Sequence, residues 1–65
     1  MEHIEQIDFH DEDARLPAFA IVRTHGEFVG LSLNVVGQGD FEVYFAADVA
    51  LKLASALRTA ARVES

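Results

Sequence analysis

The chain has 65 residues, enough for one domain, and carries a formal net charge of −6. Its hydrophobic fraction of 51% excludes a fully disordered chain, and the absence of cysteine excludes disulfides and thiolate metal sites. A domain this small buries only ~60% of the surface that its unfolded chain exposes, so its own core stabilises it weakly. The composition therefore favours self-association as a further source of stability.

The negative charge is concentrated at the start of the chain. Residues 1–13 contain six acidic residues and no lysine or arginine, whereas residues 14–65 contain five acids and five bases. We interpret residues 1–15 as an acidic, partly flexible arm and residues 16–65 as the folded domain. Direct nucleic-acid binding is disfavoured, because neutralising phosphates requires a basic surface. The arm is instead a candidate contact for a basic protein partner, through Glu2, Glu5, Asp8, Asp11, Glu12 and Asp13.

After the arm, the residue pattern predicts three antiparallel strands. The first spans about 18–23 and the second about 27–36, with the turn residues His25 and Gly26 between them. A second turn at 37–40 precedes a third strand at about 41–45. Turns this short predict an antiparallel meander. The alternation within the second and third strands gives one apolar face, which consists of Val29, Leu31, Leu33, Val35, Phe41, Val43 and Phe45.

The opposite face of this sheet is predicted to be rich in small residues. It would carry Gly30, Ser32, Asn34, Glu42 and Tyr44, together with the alanines of the first strand. Such a face suits either solvent or a partner.

A helix is predicted from about residue 47 to about residue 62. Asp48 lies in its first turn and Arg62 near its end, as the helix dipole favours. Two adjacent apolar stripes together cover about half of the helix circumference, which exceeds what one small sheet needs. The predicted fold is therefore α+β, a βββα domain whose helix packs on one sheet face, and we expect a homodimer. The alanine-rich stripe supplies the candidate dimer contacts, Ala50, Ala54, Leu57 and Ala61.

No motif in the sequence supports catalysis. The histidines His3, His10 and His25 match no compact metal-binding spacing, although His3 and His10 lie among carboxylates. The glycines at 37 and 39 are followed by another strand, where a phosphate-binding loop would be followed by a helix. We therefore assign no catalytic, cofactor-binding or metal-binding residue and expect no enzyme activity.

Three functional hypotheses remain open. The first is a non-catalytic, cytoplasmic protein-interaction module that self-associates and contacts no membrane. The second is a small acidic inhibitor that mimics nucleic acid, of the phage anti-defence or anti-CRISPR type. The third is a minor metal-binding protein that uses the histidines and acids of the arm.

Overall fold

The computed structural model describes residues 4–64, which form four β-strands and one α-helix. The elements in chain order are β1 (Ile4–Asp11), β2 (Leu16–His25), β3 (Phe28–Val35), β4 (Gly39–Ala46) and α1 (Ala47–Glu64). All neighbouring strands pair antiparallel, in the order β1-β2-β3-β4. The α+β class, the meander and the C-terminal helix are confirmed, but the sheet has four strands where three were predicted.

The additional strand is β1, which lies in the segment that we had interpreted as an arm. It pairs with β2 along its whole length, from Ile4 opposite Arg23 to Asp11 opposite Leu16. Its sequence did not predict a strand because acidic residues have low β-propensity and only two apolar residues, Ile7 and Phe9, alternate. As an edge strand, β1 benefits from these charges, which discourage pairing with further chains.

Each hairpin turn contains a residue with positive φ. Between β2 and β3 the two-residue loop begins with Gly26 at φ 60°, the conformation that a type II′ turn requires at that position. Between β3 and β4, Gly37 has φ 80° and the amide of Gln38 donates to the carbonyl of Val35 at 2.9 Å. Between β1 and β2, the Asp11 carboxylate accepts a hydrogen bond from the amide of Ala14 at 3.1 Å. These turns fix the register of the meander.

The register divides the side chains of the sheet between two faces. One face, here called the helix face, carries α1; its central residues are Ile7, Phe9, Ala18, Ala20, Val22, Val29, Leu31, Leu33, Val35, Phe41, Val43 and Phe45. The other, here called the tyrosine face, carries Ile4, Gln6, Asp8, His10, Phe19, Ile21, Arg23, His25, Phe28, Gly30, Ser32, Asn34, Asp40, Glu42 and Tyr44. The expectation that the alanines of the first predicted strand lie on the second face was wrong. That strand, now β2, is apolar on both sides, so alternation alone could not orient it.

Very little of the described chain is buried. Ala18 is the one buried apolar side chain among residues 4–64, and α1 contains no buried residue. The accessible surface is 5313 Å², whereas a folded monomer of 7.1 kDa is expected to expose about 4,100 Å². The radius of gyration is 13.0 Å, compared with about 11 Å for a compact chain of this length. A single copy therefore leaves much apolar surface in contact with water.

Candidate functional site: an exposed apolar surface

The helix covers only one end of the helix face. Between α1 and the sheet lies an apolar groove of about 200 Å³, which the helix lines from one side and β2, β3 and β4 line from the other. Its lining residues are Val22, Val29, Leu31, Phe45, Ala50, Leu53, Ala54 and Leu57. Because these sheet residues all belong to the end of the sheet where β4 joins α1, the opposite end of the same face has no helix over it.

That uncovered end carries several exposed large apolar side chains, and we call it the open half. It comprises Ile7, Phe9, Ala20, Leu33, Val35 and Phe41, which lie in two adjacent rows across all four strands, with the buried Ala18 between Phe9 and Val35. Phe41 is 68% exposed and Ile7 is 52% exposed. Large apolar side chains grouped in this way mark a surface that contacts another molecule. Every side chain in the set is uncharged.

The open half was not among the contact surfaces predicted from the sequence. The alternation of Ile7 and Phe9 was compatible with one face of a strand, but their pairing partner was not evident. Only the β1–β2 register, which places Ile7 opposite Ala20 and Phe9 opposite Ala18, joins them to Leu33 and Phe41 on one surface.

The predicted dimer residues of the helix lie near this groove. Ala50, Ala54 and Leu57 line it from the helix side, and Ala61 lies further along the same stripe. Leu57 nevertheless remains largely exposed, so it can contact both its own sheet and another molecule. Their role in a dimer stays a prediction.

The tyrosine face is organised around the carboxylate of Glu42. Its Oε2 accepts hydrogen bonds from the hydroxyl of Ser32 at 3.1 Å and from the hydroxyl of Tyr44 at 3.3 Å. The same oxygen lies 3.5 Å from a guanidinium nitrogen of Arg23, whose Nε is buried without a hydrogen-bond partner. Side chains from β2, β3 and β4 therefore converge on Glu42 and satisfy its carboxylate within the chain.

Tyr44 also fills the space that a glycine leaves open. A Cβ placed on Gly30 would lie 2.9 Å from Cε2 of Tyr44 and 3.1 Å from Cγ of Arg23. The tyrosine ring meets the imidazole of His25 edge to face at 5.8 Å. This packing covers Gly30, whereas Ile4, Phe28 and Tyr44 itself stay exposed on the same face.

A shallow groove of about 260 Å³ adjoins the Glu42 cluster. Its walls include Phe19, Ile21, Arg23, Asn34 and Asp40. Glu42 lies at its border with its carboxylate oxygen already engaged, and its side chain is 44% exposed. A general acid or base needs a shielded group, so this arrangement stabilises the sheet more readily than it performs proton transfer.

The predicted acidic contact residues do not share one surface. In β1, Glu5 points to the helix face, while Asp8 points to the tyrosine face and its Oδ1 accepts a hydrogen bond from the side-chain Nε2 of Gln6 at 3.0 Å. Asp11 holds the first turn, where Glu12 and Asp13 are exposed. Glu2 lies outside the described residues. Their contact with a basic partner stays a prediction.

The metal-binding hypothesis places a metal ion on the histidines and acids of residues 1–13. His3 lies outside the described residues, and His10 shares the tyrosine face with Asp8. Within residues 4–64, no three histidine, cysteine, aspartate or glutamate side chains are grouped closely enough to hold a metal ion. In the same range, the helix is not apolar enough over its length to cross a membrane.

The geometry defines a class of structure, a four-stranded antiparallel meander with one C-terminal helix across one end of one face. Comparison with protein-family models, curated proteins and solved structures finds no match for this chain. The exposed surfaces of the sheet and helix are therefore the guide to function.

Proposed function

We propose that this protein is a small, non-catalytic protein-interaction module that first associates with a second copy of itself. The observation that carries this proposal is the accessible surface of 5313 Å², about 1,200 Å² more than a folded monomer of this mass exposes. Much of it is apolar, and burial of apolar area is the main favourable term in association. A second copy is the partner present wherever the chain itself is present.

A non-catalytic role agrees with the polar clusters of the described residues. The most connected carboxylate, Glu42, is held by Ser32, Tyr44 and Arg23 in a partly exposed position. The proposed role of the tyrosine face is therefore to hold β2, β3 and β4 together with a small number of side chains.

The nucleic-acid mimic receives less support from the same geometry. A mimic presents carboxylates along one surface in the manner of a phosphate backbone. In β1 the strand alternation sends Glu5 and Asp8 to opposite faces of the sheet. The interaction module is therefore the function that we advance.

The experiment is a mass measurement by light scattering during gel filtration, at low and at high micromolar concentration. We expect a mass near twice 7.1 kDa. Both copies carry −6, so added salt should maintain or strengthen the association by screening their repulsion. A mass of one chain at every concentration would refute self-association.

A further inference from the structure

We infer that the open half of the helix face is a twofold interface that takes the open half of a second copy. The two sheets then pack face to face over these halves, and the sheet of each copy lies beside the helix of the other. This inference rests on the proposed self-association and assigns a surface to it.

The exposed area of the whole chain is large enough to include such an interface. The surplus over a compact monomer is about 1,200 Å², and a stable interface of standard size buries about 800 Å² on each partner. The open half supplies apolar side chains from all four strands. A twofold axis would pack this surface against the same surface of the second copy. A second copy can therefore account for most of the surplus.

The dimensions of the helix face leave room for a second layer beside α1. A strand of eight residues is about 27 Å long, and a helix with its side chains is about 10 Å across. Since Val29 and Leu31 of β3 line the groove, the rows of Leu33 and Val35, about half of the helix face, remain available. Two sheets packed face to face lie about 10 Å apart. The partner's sheet would thus occupy the same layer as α1.

The apolar surface of α1 extends beyond the residues that line the groove, and a partner sheet beside the helix could bury the additional residues. Val49, Ala56 and Ala60 continue the arc next to the groove-lining stripe, and all three are exposed. A neighbour in the same layer as the helix would cover this flank. The polar side, with Lys52 and Ser55, would remain in water. A helix inserted between two sheets would have to bury that polar side.

The charges also permit two identical surfaces to meet. The open half contains no charged side chain, while Glu5 and Asp11 of β1 lie on the same face at its border. Interfaces commonly have this organisation, an apolar centre with a polar rim. Self-association through the open half therefore brings no carboxylate directly onto its own copy at the centre.

The sharpest test uses two isoleucines of β1 as a matched pair. Ile7 lies in the open half and is 52% exposed, whereas Ile4, in the same strand, points to the tyrosine face and is 61% exposed. A glutamate at either position adds the same charge to the same edge strand. We expect Ile7→Glu to raise the dissociation constant of the dimer by at least about 100-fold, because it buries a charge. Ile4→Glu should change it less than about threefold.

The outcomes separate this inference from the proposed function. A wild-type monomer would refute self-association and this interface together. A wild-type dimer that Ile7→Glu leaves intact would keep self-association but overturn this surface, in favour of the tyrosine face or the free edge of β4. A dimer that only Ile4→Glu disrupts would assign the contact to the tyrosine face.

A second measurement does not depend on disrupting the dimer. The chain has no cysteine, so single variants at two phenylalanines, Phe41→Cys in the open half and Phe28→Cys on the tyrosine face, each introduce one reactive thiol. With a bulky thiol reagent, Phe41→Cys should react at least about tenfold more slowly at high than at low protein concentration. Phe28→Cys should react equally at both. Equal protection at the two positions, or protection of Phe28→Cys alone, would overturn the inference.

Discussion

The two faces of this sheet differ in the means by which the chain covers them. On the tyrosine face, the side chain of Tyr44 lies over Gly30, and Glu42 receives hydrogen bonds from Ser32 and Tyr44. On the helix face, α1 covers one end and leaves Phe41 68% exposed at the other. Polar groups can satisfy one another across neighbouring strands, but an apolar surface is removed from water only by a second layer. The chain supplies one helix for that layer, which is too little.

The largest effect on stability is expected at the groove, where two leucines of α1 form a matched pair. Leu53 lines the groove and is 40% exposed, whereas Leu51 lies on the polar side of the helix and is 72% exposed. Leu53→Ala should lower the free energy of unfolding by about 2–3 kcal/mol, since it removes groove contacts. Leu51→Ala should change it by less than about 0.5 kcal/mol. Urea unfolding measures both, and equal effects would mean that α1 does not pack as described.

A smaller effect is expected on the tyrosine face, at Gly30. In Gly30→Ala the new methyl group would lie 2.9 Å from the ring of Tyr44, so the ring must move and weaken its contacts with Glu42 and His25. We expect a loss of about 1–2 kcal/mol. In a Tyr44→Ala background the same substitution should cost little, because the ring is gone. Additive effects in this double-mutant cycle would contradict the proposed role of Tyr44 as the cover of Gly30.

Much of the fold could be predicted from local patterns. β3 and β4 follow from clean alternation, β2 from a run of β-forming residues, and the turns and helix from the glycines and from Asp48 near the helix start. β1 could not, because an edge strand is held by pairing to its neighbour and tolerates acids that have low β-propensity. Its residues read equally well as a solvated arm.

The candidate site was harder to predict than the fold, because it exists only through register. β2 is apolar on both sides, with Ala18 and Ala20 on one face and Phe19 and Ile21 on the other, so its pattern does not choose the helix face. The open half assembles only when β1 and β4 bring Ile7, Phe9 and Phe41 to the same face. The sequence did indicate that the helix has a wide apolar arc, and that observation led to the expectation of a dimer.

If a second copy completes the fold, the stability of the protein must rise with its concentration. The urea midpoint of unfolding, measured at several protein concentrations, tests this most directly. If two folded chains dissociate as they unfold, a 100-fold increase in concentration stabilises the dimer by about 2.7 kcal/mol. With ordinary denaturant sensitivity, this moves the urea midpoint up by about 1 M. We predict that shift for the wild-type chain and for Ile4→Glu, and a much reduced shift for Ile7→Glu. A wild-type midpoint that is independent of concentration, together with the mass of a single chain, would contradict it.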